Sequence, residues 1–168
     1  MAKTYLDQLV EYPAKVISRI SEDKYCVGFL VNKEFDQLTD EDFDRVLDEN
    51  VFDYQYVDNT TQESAAYIWA EVDVDRVSSK QFKNLKLYVT VACHKSYMKL
   101  DGSKFKGVIG NRRDNIIRYV DRLLNNHMFV GLGCLKLESV KPLTSVNGFT
   151  AKELTYDIPD FHIVQIDE

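Results

Sequence analysis

Glu71, Asp73 and Asp75 have the types and spacing best suited to chemistry in this sequence. At every second residue of an extended chain, three carboxylates project from one face. Oxygen ligands gathered in this way hold Mg²⁺, and the bound ion activates water for attack on a phosphodiester. Lys86 or Lys136 on another strand would complete such a metal-dependent nuclease. The plainer reading is the solvent face of an antiparallel strand, where acids alternate with apolar residues as a matter of course. A motif this short does not separate the two, and the plainer one takes precedence.

Other reactive side chains are scattered. Cys93 and His94 are adjacent, so a strand sends them to opposite faces and they cannot share a zinc ion; His127 and His162 add no ligand spacing. Cys26, Cys93 and Cys134 are too few and too dispersed for a disulfide framework, which points to a reducing compartment and to buried thiols. Gly102, Gly107 and Gly110 precede a helix, but the Lys-Ser/Thr ending of a phosphate-cradling loop is missing. Here the glycines suit a mobile hairpin or arm. No cofactor and no metal are expected.

The elements that must position these residues follow from hydrophobic periodicity. Leu6, Leu9, Val10, Val16, Ile17 and Ile20 repeat at three and four, predicting a helix over 4–21 that kinks or restarts at Pro13. A buried second helix over 22–31 would take Ser21 as its N-cap and end at Asn32. Thr39 followed by Asp40, Glu41 and Asp42 opens a third helix, which should end near Asn50. Residues 50–63 read as an aromatic, extended loop. The period then becomes two. Ala66, Ile68, Ala70, Val72 and Val74 share one face, and Leu85, Leu87, Val89, Val91 and Cys93 repeat the pattern on a second strand. After the loop Lys99–Asn111, residues 112–126 form a helix with Ile116, Ile117, Val120, Leu123 and Leu124 inward. Arg112, Arg113, Asp114, Arg118, Asp121 and Arg122 lie on its outward side. Strands over 132–143 and 150–158 flank the turn Ser145-Val-Asn-Gly, and residues 163–166 fit a short edge strand. The order predicts an α+β fold, an antiparallel sheet of four to five strands with helices on one side.

Composition narrows the function classes. The chain has 168 residues, 45% hydrophobic and 29% charged, with a net charge of −6. That is one globular domain, with helices over 4–50 and a sheet-and-helix core over 64–166, long enough to bury roughly two-thirds of its unfolded surface. No apolar run approaches the roughly 20 residues of a membrane span, and Met1–Asp7 carries acid where a signal peptide is apolar. A membrane partner is therefore not expected. A surplus of acid also disfavours generic nucleic-acid binding.

Charge is segregated along the chain. Acids crowd 34–58, Asp40 and Asp44 among them, while Lys99, Lys104, Lys106, Arg112, Arg113, Arg118 and Arg122 make a basic loop and helix. Two solvated faces would account for this. A sharper reading joins the acidic region of one copy to the basic region of the next, a heterologous contact that closes into a ring when the rotation permits.

A family resemblance supports the ring. Asn111-Arg-Arg-Asp-Asn-Ile-Ile-Arg-Tyr-Val-Asp-Arg-Leu-Leu-Asn-Asn, Gly131-Leu-Gly-Cys-Leu-Lys-Leu and Gly148-Phe-Thr-Ala-Lys-Glu-Leu-Thr-Tyr-Asp-Ile resemble neck and tail-terminator proteins of tailed bacteriophages. Tyr67-Ile-Trp-Ala-Glu-Val-Asp-Val and Leu87-Tyr-Val-Thr-Val-Ala-Cys-His resemble their paired strands, and the likeness spans about 64–160. It implies a tail-terminator-like protomer that forms a ring, commonly a homohexamer, at the head-proximal end of the tail tube. Such a ring stops tube growth, contacts the tube protein and the head-side connector or stopper, and resides in the virion after assembly in the host cytoplasm. It is structural, not an enzyme, and uses no cofactor. A head-closure or connector protein of the same neck is the near alternative. On this reading Arg112, Arg113, Arg118, Arg122, Lys104, Lys106, Asp40 and Asp44 are inter-subunit candidates. DNA is only passing cargo, and Glu71, Asp73 and Asp75 would line the lumen and repel its phosphates.

Overall fold

A computed structural model of the chain describes residues 5–56, 65–78, 81–129 and 133–158, with the side chains of 5–9, 75–78, 81–84 and 129 outside that description. The protein is α+β, with a five-stranded sheet covered on one face by four α-helices among the described residues.

Helix α1 (Tyr5–Ser21) buries Tyr12, Val16, Ile17 and Ile20 and runs through Pro13 without restarting. Helix α2 (Lys24–Val31) starts later than the pattern predicts. Its cap is Asp23 rather than Ser21, with Oδ1 accepting from the backbone N–H groups of Tyr25 and Cys26 at 3.0 and 2.8 Å. It ends at Asn32, whose φ of 58° gives the left-handed turn that asparagine tolerates. Helix α3 (Asp40–Glu49) opens where predicted. Asp42 Oδ2 accepts from both the backbone N–H and the hydroxyl of Thr39, at 2.9 and 3.0 Å, so the third helical residue secures the cap.

The residues expected to be loop begin with a strand. β1 (Val51–Phe52) pairs in parallel with the start of β2 (Ala66–Ser78), making the sheet mixed. A two-residue strand is too short to show a period. β2 and β3 (Gln81–His94) form one long antiparallel pair that reaches well past the predicted ends. After α4 (Arg112–Leu124), a small ribbon joins β4 (Met128–Phe129) to β5 (Gly133–Cys134). β6 (Lys136–Val146) and β7 (Phe149–Asp157) then complete the sheet in the order β1-β2-β3-β7-β6. The proposed edge strand at 163–166 lies outside the described residues.

The helix-facing side of the sheet carries the expected core: Ile68, Ala70, Leu85, Leu87, Val89, Val91, Leu154 and Tyr156. The opposite side is not uniformly exposed. Tyr67 and Trp69 are buried there with Ala92, Phe149 and Ala151, and the rings of Phe52 and Tyr56, stacked 4.1 Å apart, help cover them. Alternation alone cannot distinguish one buried face from two.

Candidate functional site: two charged sheet edges

The uncovered face of the sheet holds the acids that the sequence singles out. Glu71 and Asp73 are exposed on β2 and line a shallow depression of about 380 Å³ with Val72, Tyr88 and Glu153; the side chain of Asp75 lies outside the described residues. Partial burial pushes the Glu153 carboxyl up, Lys141 opposes this and Glu71 adds to it. Among the described residues no trio of His, Cys, Asp or Glu is arranged to hold a metal ion. Lys86 is turned away from β2, its Nζ 2.5 Å from Glu138 Oε2.

Strand register turns this face into a charge ladder. Asp73 lies opposite Lys86, Lys86 opposite Asp157, and Asp157 opposite Lys136, so charge alternates across β2, β3, β7 and β6. Two rows along on the same face, Glu153 of β7 lies opposite Lys141 of β6. Within the ladder, among the described residues, the ion pair that forms is diagonal, between Lys86 and Glu138 of β6. The ladder ends in acid at β2 and in base at β6. Lys136 and Lys141 keep to the same face because a bulge between Leu137 and Ser139 restores the alternation. Lys141 was missed at the sequence level, because cross-strand partners depend on register and the bulge shifts it.

Among the described residues both edges are open. Beyond Trp69, no strand among the described residues pairs with the outer side of β2 over Ala70–Ser78, and none pairs with the outer side of β6.

The helix layer is acidic at the β1 end. α3 packs on β1 and α1 on β2, and the exposed Asp40, Glu41, Asp44, Asp48 and Glu49 of α3 lie at that end. An apolar groove of about 430 Å³, lined by Ile17, Leu47, Phe52 and Tyr54, opens beside them. α4 packs on β3 and reaches over β7 and β6. Lys152 of β7 bonds Asp114 at 2.9 Å, Tyr156 of β7 bonds Asp121 at 3.3 Å, and Asn125, capping α4, accepts from the Leu137 N–H at 3.1 Å. Arg118 and Arg122 are exposed on α4 and flank the Tyr119 ring, 5.1 and 5.0 Å from its centre, and that ring stacks on Tyr25 of α2 at 4.6 Å.

Three of the expected surface cations are engaged within the chain. Arg112 is a correction: predicted on the outward side of α4, it is 1% exposed. Its Nε donates to the Tyr97 carbonyl at 2.8 Å, Nη1 to the Phe29 carbonyl and Nη2 to Asn32 Oδ1 at 2.8 Å. It pins α2 to the base of α4 and offers nothing to a neighbour. As the first residue of its helix, Arg112 points where the inward and outward arcs meet, which a helical wheel resolves poorly. Arg113 is mostly covered and pairs with Asp114 at 3.1 Å. Burial pushes the Asp114 carboxyl up, yet bonds from Lys152 and Asn111 and the charge of Arg113 outweigh it and hold the pKa below the ordinary value. Lys104 donates to the Asn32 carbonyl at 2.9 Å, whereas Lys106 is exposed. The loop predicted to be a mobile arm is anchored instead: Phe105 is 3% exposed and stacks on Phe29 with 5.0 Å between ring centres.

The YomW family model matches residues 23–158, from the cap of α2 to the end of β7. No curated protein and no solved structure matches the chain.

Proposed function

The chain belongs to the YomW family, which is phage-derived, and from that premise we propose that it is a structural protein of the phage neck. It acts as a tail terminator: copies assemble into a ring that caps the tail tube and joins it to the head-side connector. The observation that carries this reading is the polarity of the protomer. Acid collects over the β1–β2 edge, in α3 and in Glu71 and Asp73, while the exposed cations Lys136 and Lys141 stand on the β6 edge and Arg118 and Arg122 on the outer surface of α4. A unit with unlike ends joins head to tail, and head-to-tail contacts close into a ring when the rotation between copies permits. Complementary potentials also speed the encounter and disfavour wrong orientations.

Within the ring, Asp40 and Asp44 of one copy face Arg118, Arg122 and Lys106 of the next. The sheet face that carries Glu71 and Asp73 is turned to the lumen. Virion location follows from the same reading. Electron microscopy of the purified protein, alone and mixed with tail tubes, tests it. Annular particles, and rings seated on tube ends, are expected; isolated protomers that leave tube ends bare would overturn it.

A further inference from the structure

We propose that the joint between neighbouring copies is a continuation of the sheet itself, with the outer edge of β6 from one protomer pairing antiparallel with the Ala70–Ser78 edge of β2 in the next. This inference rests on the ring reading and names the surface that builds it.

β2, β3, β7 and β6 alternate in direction, each antiparallel to the next. An even number of alternating strands leaves the two outer strands pointing in opposite directions. Repeating the unit by one rotation therefore sets β6 beside β2 of the neighbour in the antiparallel sense, the same arrangement as within the chain. β1 covers Ile68 and Trp69, and no other strand among the described residues takes the rest of the long β2 edge, which is left to pair. An exposed edge of this length, with a row of unpaired N–H and C=O groups, is a template for another strand.

Charge then selects the partner. Pairing β6 with β6 about a two-fold axis would bring the Lys136 and Lys141 sets together, and pairing β2 with β2 would oppose Glu71 and Asp73 to their copies. Like charges across a strand pair are destabilising. Pairing β6 with β2 instead brings acid to base and continues the alternation of Asp73, Lys86, Asp157 and Lys136 into the next protomer. Glu138, the acid on β6, is already matched by Lys86. The helix-facing side agrees as well. Val140 on β6 is 42% exposed, and Val72 and Val74 on β2 are only half-covered, so the joint would bury apolar side chains below the charged row.

Two variants and a cross-link test the joint. Lys136→Glu/Lys141→Glu makes both edges acidic, and Glu71→Lys/Asp73→Lys makes both basic; all four positions are exposed. Each variant alone should associate at least about tenfold more weakly than the wild type, and an equimolar mixture should recover assemblies of strictly alternating composition by native mass spectrometry. Carbodiimide treatment of wild-type protein should link Lys136 or Lys141 to Glu71 or Asp73. Within one chain these edges are three strand spacings, roughly 14 Å, apart, so a zero-length link between them must join two copies. Rings that persist in both reversal variants, together with wild-type rings that give no such link, would overturn the edge joint and leave the ring reading standing. A wild type that stays monomeric and unlinked at every concentration would overturn both. If a reversal variant fails to fold, the cross-link on the wild type decides alone.

Discussion

The guanidinium of Arg112 lies 4.0 Å from the centre of the Tyr97 ring, at the first position of α4. Its hydrogen bonds run to two backbone carbonyls and one amide oxygen, so a buried cation is solvated by dipoles from α2, Asn32 and the segment after β3. Removing it leaves those acceptors unpaired in a dry site, each costing about 1–3 kcal/mol. Arg112→Leu should therefore lower unfolding stability by about 3 kcal/mol or more, and Arg112→Lys, which keeps charge but not the planar fork, by less. Urea denaturation checks this; a midpoint unchanged in Arg112→Leu would show that the guanidinium does not hold α2 to α4.

Asp42 joins two elements. Besides capping α3, it receives both Nζ bonds of Lys33 at 2.7 Å. The bond from Lys33, then that from the Thr39 backbone, holds its carboxyl below the ordinary value against the opposing effect of burial. A depressed carboxyl stabilises the fold above its unfolded pKa, and that contribution is lost as pH falls through the folded one. Asp42→Ala should cost about 1 kcal/mol at neutral pH, and the gap to wild type should close below the ordinary carboxylate range. Thermal melts from pH 7 to 3 would show it; a gap constant across that range would contradict it.

The β6–β7 hairpin depends on a tight turn. Asn147 and Gly148 both take positive φ, 47° and 82°, as a two-residue hairpin turn of this hand requires. A Cβ on Gly148 would come within 2.7 Å of His94 Nε2. Gly148→Ala should lower stability by about 1–2 kcal/mol through strain and the displaced imidazole. Chemical denaturation measures it, and a neutral result would mean that the turn relaxes.

Charge reversal at Arg118 and Arg122 should separate assembly from folding. Both are exposed and make no ion pair within the chain among the described residues. Arg118→Glu/Arg122→Glu should leave the melting temperature of the protomer nearly unchanged, since exposed charges contribute little to folding, while weakening association. Sedimentation velocity alongside calorimetry reads the two effects; unaltered association would place α4 away from any neighbour.

Much of this architecture is legible in the sequence, and the limits have physical causes. The run from Ala66 to Val74 announces a strand because its period is two, and Thr39 announces a helix because acids follow a capping hydroxyl. β1 is too short to carry a period, and the burial of Tyr67 and Trp69 depends on Phe52 and Tyr56 arriving from elsewhere in the chain. Segregation of acid from base is readable along the sequence. That the two signs end on opposite sheet edges is not, because it follows from strand order, where β7 inserts between β3 and β6. Arg112 shows the converse, since a charged residue at a helix start looks solvent-facing until its carbonyl partners are known.

The central claim is that copies of this polypeptide join around an axis through unlike edges. Native mass spectrometry of the purified protein at low and moderate salt tests it most directly. A single closed species at an integral multiple of 19.5 kDa, sixfold for the commonest ring, that weakens as salt rises is the expected result. A species fixed at 19.5 kDa under all conditions, or a two-fold dimer that goes no further, would contradict it.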